Sequence, residues 1–194
     1  MARMCMVIDK RRCIGCHSCT VACRTWNQLP IDIVYNPVLS EGTRGKFPKV
    51  HRTWTPMLCQ HCAKPACVPA CPTGASRQDA DGTVWIEYKK CMACKVCVNA
   101  CPYGMRDQSK FEPRLHQFIR KCTFCRDRRE YEGDYAKSTY CVDTCHQKAR
   151  VFGDLDDPNS EVHKLVNRVK TTRIFVNLNT EPQIYYIDDM GGAL

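Results

Sequence analysis

The sequence predicts an α+β fold of short strands and helices, held together by cysteine-bound groups more than by an apolar core. Three observations lead there. The 194 residues include 17 cysteines, and sixteen of them fall into four quartets of related spacing. The mean hydropathy is -0.42, and the 44% hydrophobic share counts those cysteines, so the ordinary core is thin and the loops need staples. Short alternating apolar segments, Met4 to Asp9 and Thr83 to Tyr88, run into the first and third quartets and suit strands that end in ligand loops.

The third quartet identifies the staple. Cys91 to Pro102 reads C-M-A-C-K-V-C-V-N-A-C-P. This is the bacterial ferredoxin form C-x2-C-x2-C-x3-C-P, in which three closely spaced thiolates wrap one iron-sulfur cubane and the fourth reaches a different one. Cys13, Cys16, Cys19 and Cys23 repeat the spacing, with Arg24 where proline would stand. Cys59, Cys62, Cys67 and Cys71 repeat it with a middle gap two residues longer. The fourth quartet is looser: Cys122 and Cys125, then fifteen residues, then Cys141 and Cys145. Zinc sites usually combine separated cysteine or histidine pairs, whereas runs of four cysteines with C-P endings belong to ferredoxins.

The elements follow in chain order. Met4, Met6 and Ile8 alternate with Cys5 and Val7 in the first strand, and Cys5, the odd cysteine, reads as a buried strand thiol. Gly15 lets the first ligand loop turn tightly, so that amide hydrogens point at sulfur. Residues 24–58 read as a polar, turn-rich connection containing one strand, Lys49 to Thr55, with Trp26 and Trp54 as packing residues and His51 at the surface. The longer gap in the second quartet predicts an outward bulge at Lys64-Pro65, which offers a contact surface. His17 and His61, inside ligand loops, read as solvent-facing or backbone-bonded. Asp81-Gly82 predicts a hairpin turn.

The repeating unit is strand, ligand loop, short helix. The charged insert between Cys125 and Cys141 reads as a solvated excursion or a docking loop. Val162, Leu165, Val166 and Val169 recur at helical spacing, predicting a short amphipathic helix over Glu161 to Lys170. Ile174 to Leu178 and Gln183 to Ile187 read as two strands of a tail that wraps the surface. Lys95 and Lys121, each beside a predicted ligand, are candidates for stabilising reduced clusters, against a plainer reading as solvated charges.

Charge and signals exclude several classes. The formal net charge is +9. Sixteen thiolates on four cubanes of about +2 each would contribute about -8, so most of the basic excess balances clusters and no nucleic-acid partner is expected. No stretch approaches the roughly 18 to 20 apolar residues of a membrane span. Met1 to Arg12 shows no export signal.

The crossing rule orders the ligands. Quartets two and three lie close in sequence and make one pair: Cys59, Cys62, Cys67 and Cys101 hold one 4Fe-4S cluster, and Cys91, Cys94, Cys97 and Cys71 another. By elimination the outer quartets pair across them. Cys13, Cys16, Cys19 and Cys145 then hold a third cluster, and Cys122, Cys125, Cys141 and Cys23 a fourth. The predicted architecture is two bacterial-ferredoxin-like modules, one inserted in the other. Residues 1–48 and 112–155 form the outer module, 49–111 the inner one, and 156–194 a C-terminal tail. Cubanes with four thiolate ligands have no open site, so no catalytic residue is assigned and the expected role is one-electron transfer.

The quartets, together with C-P-T-G-A at Cys71 to Ala75, C-P-Y-G at Cys101 to Gly104, K-C-T-F-C at Lys121 to Cys125 and F-G-D-L-D-D-P at Phe152 to Pro158, resemble the iron-sulfur subunit of dimethyl-sulfoxide-reductase-family molybdoenzymes. The resemblance is nearest the polysulfide, thiosulfate, dimethyl sulfoxide and arsenate reductase branch. It implies four 4Fe-4S clusters carrying electrons in anaerobic respiration between a molybdopterin catalytic subunit and a membrane quinone-linked anchor subunit. It also implies co-export with the catalytic subunit to the periplasmic face of the cytoplasmic membrane, with the cytoplasmic face as the alternative. An electron-transfer subunit of a formate dehydrogenase or hydrogenase complex is the rival of the same class. His146 stands where the family pattern has proline; it could donate to a cluster sulfur, though a surface role is the plainer reading.

Overall fold

The computed structural model describes residues 2–111, 118–131 and 138–188, with backbone alone for 129–131. Strand β1 (Met4–Asp9) is the centre of a three-stranded sheet in the order β6-β1-β7. It pairs antiparallel with β6 (Arg150–Asp154), with Met4 opposite Asp154 and Ile8 opposite Arg150. It pairs parallel with β7 (Ile184–Ile187), with Met6 opposite Ile184 and Asp9 opposite Ile187.

The alternation in β1 sends its side chains to two faces. Met4, Met6 and Ile8 pack with Phe124, Phe152, Ile184 and Tyr186 on the side of the ligand loops. Cys5 and Val7 pack with Leu155, Val162 and Ile187 beneath α5 (Glu161–Arg168). The Cys5 thiol is fully buried and burial pushes its pKa well up, so it remains a neutral core group.

The remaining elements are short. Helix α1 (Ser18–Trp26) carries the end of the first quartet. Strands β2 (Val38–Lys46) and β3 (Lys49–Pro56) form a ribbon, and β4 (Ser76–Gln78) and β5 (Val84–Ile86) a small hairpin. Helices α2 (Val96–Asn99), α3 (Arg126–Tyr131) and α4 (Tyr140–Asp143) are one to two turns each. The hairpin closes where Asp81-Gly82 predicts it, with the Asp79 amide donating to the Thr83 carbonyl at 2.9 Å.

Three expectations need correction. Residues 24–58 contain two strands, because β2 pairs along β3 despite Gly42, Gly45 and its charged residues. A two-stranded exposed ribbon closes through its backbone ladder and needs no apolar alternation, so the pattern gave no sign of it. Ile174 to Leu178 is not a strand: Val176–Leu178 is a single 3-10 turn between left-handed Phe175 and Asn179. The tail does not merely wrap the surface, since β7 buries Ile184 and Tyr186 in the sheet. At the second quartet, the Ala63 and Lys64 amides donate to the Glu181 and Thr180 carbonyls, and Lys64 pairs with Glu181 at 2.6 Å. The returning tail thus fixes the backbone of the bulge at Lys64-Pro65, while the Lys64 side chain stays 70% exposed. Residues 132–137 of the charged insert lie outside the described residues.

Candidate iron-sulfur sites

All seventeen cysteines are free thiols. In the first quartet the loop reverses at Gly15 (φ +68°), and left-handed His17 starts α1, which carries Cys19 and Cys23 one turn apart and both buried. A side chain at Gly15 would meet the Trp54 ring at 2.4 Å, so loop and indole are closely fitted. The third quartet repeats the device: left-handed Lys95 starts α2, which carries Cys97.

Cys13, Cys16, Cys19 and Cys145 line one small cavity. Cys23, Cys122, Cys125 and Cys141 line another. Neighbours on α1 thus face different cavities. Cys62 lies beside Cys59, Cys67 and Cys101, and burial, with those thiols, pushes its pKa up to about 12. Cys71, Cys91 and Cys97 pack around one small apolar cluster with Val84 and Ile86, while Cys94 is exposed.

Burial also raises the thiols of Cys13, Cys23, Cys67 and Cys122. Ligation requires thiolates, so these cysteines would lose their protons in holding a cluster, whose iron-sulfur bonds would offset the cost of burial. Hydrogen bonding with Ser18 lowers the Cys16 thiol. Burial raises Cys71 too, but donors that include the Ser76 amide at 3.4 Å outweigh it and leave the thiol lowered.

The donor set fits 4Fe-4S clusters. Among the described residues no three His, Cys, Asp or Glu side chains converge on a point suited to one ion. The thiols of two quartets ring cavities instead, the arrangement of ligands around a multi-atom group. The Asn36 Nδ2 and Arg106 Nη1 atoms are buried without a hydrogen-bond partner among the described residues, and Asn36 lines the cavity of Cys23 and Cys122.

The sequence left the surroundings of several neighbours of these sites open. His61 is fully buried, stacks on Phe124 at 3.6 Å between ring centroids, and accepts the Val84 amide at Nδ1. It is backbone-bonded, not solvent-facing. Lys121 is 1% exposed, which overturns its reading as a solvated charge, whereas Lys95 is at the surface. The Lys121 ammonium donates to the Val84 and Cys122 carbonyls; burial pulls its pKa down, and Cys59 opposes that. Trp54 is half-buried under Arg52, but Trp26 is 46% exposed against Tyr140. His146 is exposed.

Arg106 and Arg150 were missed altogether. Each lies five residues after the last cysteine of its quartet, a C-x4-R spacing that aligning quartets three and four would have revealed. Arg106 Nη2 donates to Cys67 Sγ and Ser76 Oγ, both at 2.8 Å. Arg150 Nη2 donates to Cys19 Sγ at 3.5 Å and to Asn36 Oδ1 at 2.7 Å.

Residues 50–155 match one 4Fe-4S dicluster domain, and residues 12–75 match a second of the same description. Curated relatives span nearly the whole chain. A selenate reductase subunit of Mesobacillus selenatarsenatis is 37% identical over 94% of this chain and 70% of its own length. A putative dimethyl sulfoxide reductase iron-sulfur subunit of Halobacterium salinarum is 37% identical, over 94% of this chain and 78% of its own. The arsenate respiratory reductase iron-sulfur subunit of a Shewanella species is 32% identical, over 97% of both chains. The chain therefore belongs to the 4Fe-4S dicluster family, among the electron-transfer iron-sulfur subunits of reductase complexes.

Proposed function

We propose that this chain relays single electrons through four 4Fe-4S clusters between a molybdopterin catalytic subunit and a membrane quinone-linked anchor subunit. The observation that carries the count is the gathering of cysteines from distant quartets. Cys145 joins Cys13, Cys16 and Cys19 around one cavity, Cys23 joins Cys122, Cys125 and Cys141 around another, and Cys101 lies beside Cys59, Cys62 and Cys67. Cys71, Cys91, Cys94 and Cys97 complete the crossed sets, with quartets two and three as a module inserted between one and four.

When bound, each cluster supplies a one-electron couple with no open coordination site. The protein's part is to hold the sulfurs, keep water away and set potentials by burial and donor placement. Successive sets adjoin in a row: Cys19 and Cys23 lie one turn apart on α1, Cys122 lies near Cys59, and Cys67 and Cys97 share one buried cluster. At one end of the row Cys16 is exposed beside an open groove lined by Val21, Trp26 and Tyr140. At the other, Cys94 is exposed near exposed Met92 and Val96. These ends suit the two partners. Among the described residues no helix is long and apolar enough to cross a membrane, and the proposed anchor supplies that span. Co-export with the catalytic subunit would put the complex on the periplasmic face.

Anaerobic purification and analysis test the reading. It predicts about 16 irons and 16 acid-labile sulfides per chain, with visible absorption that dithionite bleaches. A zinc-rich, colourless protein, or half that iron, would overturn the four-cluster wire. In cells lacking the catalytic subunit's signal peptide, unchanged placement of this chain would reject co-export.

A further inference from the structure

Three buried basic side chains stand out, each near thiols of two cysteine sets. Arg106 donates to Cys67 Sγ at 2.8 Å and lies near Cys59 and Cys97. Lys121 donates to the Val84 and Cys122 carbonyls and lies near Cys59, Cys67 and Arg106. Arg150 donates to Cys19 Sγ at 3.5 Å and lies near Cys141 and Cys145. All three are at most 3% exposed, so solvent does little to screen them.

The order is regular. Along the row of sets runs Cys13/Cys16/Cys19/Cys145, then Arg150, then Cys23/Cys122/Cys125/Cys141, then Lys121, then Cys59/Cys62/Cys67/Cys101, then Arg106, then Cys71/Cys91/Cys94/Cys97. Each of the three gaps thus holds one of these cations. The chain positions support a built device: Arg106 and Arg150 occupy the same place after the cysteine that crosses between sets, and both donate to the third cysteine of the set that their crossing cysteine joins.

We propose that Arg150, Lys121 and Arg106 are intercluster cations that set the potentials of the clusters on both sides and screen one reduced cluster from the next. The inference rests on the four-cluster reading and deepens it. An electron added to one cluster makes its neighbour harder to reduce, and a fixed positive charge between them favours the reduced form of both. Screening of this kind lets adjacent clusters be reduced together. The residues act through the clusters and are positioning residues, not catalytic ones.

Redox titration of the full chain, followed by EPR, tests this in Arg106→Gln, Lys121→Met and Arg150→Gln. Iron content is measured first: a wild-type chain short of four clusters defeats the underlying reading, whereas full loading leaves the cations as the only question. Each neutral variant should make its two flanking clusters about tenfold harder to reduce, about 59 mV for a one-electron couple, and leave the far clusters unchanged. The set containing Cys59 should shift in both Arg106→Gln and Lys121→Met, and the set containing Cys23 in both Lys121→Met and Arg150→Gln. A shift confined to one cluster, or none, overturns the proposal. If a neutral variant fails to load, Arg106→Lys, Arg150→Lys and Lys121→Arg keep the charge but move it. A smaller shift in both flanking clusters then supports the proposal, and a shift in one or neither overturns it.

Discussion

Cys13 and Cys91 open ligand loops of the same spacing, yet the segments that carry them are held by different means. Around quartets one and four, β1 lies between β6 and β7, and Met4, Met6, Ile8, Phe152, Ile184 and Tyr186 form an apolar cluster in which cysteines are the minority. Around quartets two and three the sheet is two strands of three residues. The buried cluster there is Cys67, Ala75, Val84, Ile86, Cys97 and Ile119, with Cys71 and Cys91 packed against it. A hairpin of that size is not stable by itself, so the inner region depends on its iron-sulfur bonds for structure as well as for function. The outer region has a three-stranded sheet with a larger apolar cluster of its own.

Iron removal should expose this difference most strongly. Anaerobic chelation followed by amide hydrogen exchange is expected to abolish protection in β4 and β5 while the amides of β1 facing β6 remain protected. Equal loss in both regions would mean that the sheet is no more autonomous than the hairpin.

Glycines in the ligand loops sharpen the comparison. Gly15 and Gly104 both have positive φ, but a methyl at Gly15 would enter the Trp54 ring, whereas one at Gly104 meets nothing. Gly104→Ala should cost about 1 to 2 kcal/mol, the left-handed penalty. Gly15→Ala adds a packing clash of about 1 to 3 kcal/mol and should lower the thermal midpoint further. Equal midpoints would show that Trp54 moves aside freely.

A smaller effect concerns the ion cluster that ties the first loop to the ribbon and the tail. Buried Lys10 pairs with Glu41 at 2.5 Å and with Asp188 at 2.8 Å. Burial opposes both ionised partners, but the hydrogen bonds win, so Glu41 is lowered and Lys10 raised. Glu41 therefore contributes stability that is full above the ordinary glutamate value of about 4.3 and is lost as pH falls through its lower folded value. Lys10 contributes stability that is full below the ordinary lysine value of about 10.4 and is lost as pH rises through its higher folded value. At pH 7 Lys10→Met should cost about 1 to 3 kcal/mol, between an exposed and a fully buried pair. That cost should shrink below pH 4; a cost independent of pH would assign it to packing.

Legibility in the sequence followed the physics of each feature. Thiolate spacing is a local property, so the quartets, the strand into the first and the αL loop turn at Gly15 were readable one after another. The paired apolar faces of β1 were readable because its alternation feeds two cores. What escaped depended on distant partners. β2 has no apolar face, and its pairing with β3 is a backbone matter. Gln183 to Ile187 reads as a strand, but nothing local says that it docks parallel to β1. Lys121 looks like any surface lysine until residues 59–67 and 84 close around it, and Arg106 and Arg150 gain meaning only from the sulfurs they face.

The central claim is that ligation crosses between quartets, and serine variants that remove one ligand at a time test it most directly. EPR of Cys62→Ser and Cys94→Ser assigns the two inner clusters. Cys101→Ser should then perturb the signal assigned by Cys62→Ser, and Cys71→Ser the signal assigned by Cys94→Ser. If Cys101→Ser instead alters the cluster of Cys91, Cys94 and Cys97, each quartet keeps its own cluster and the crossed arrangement is wrong.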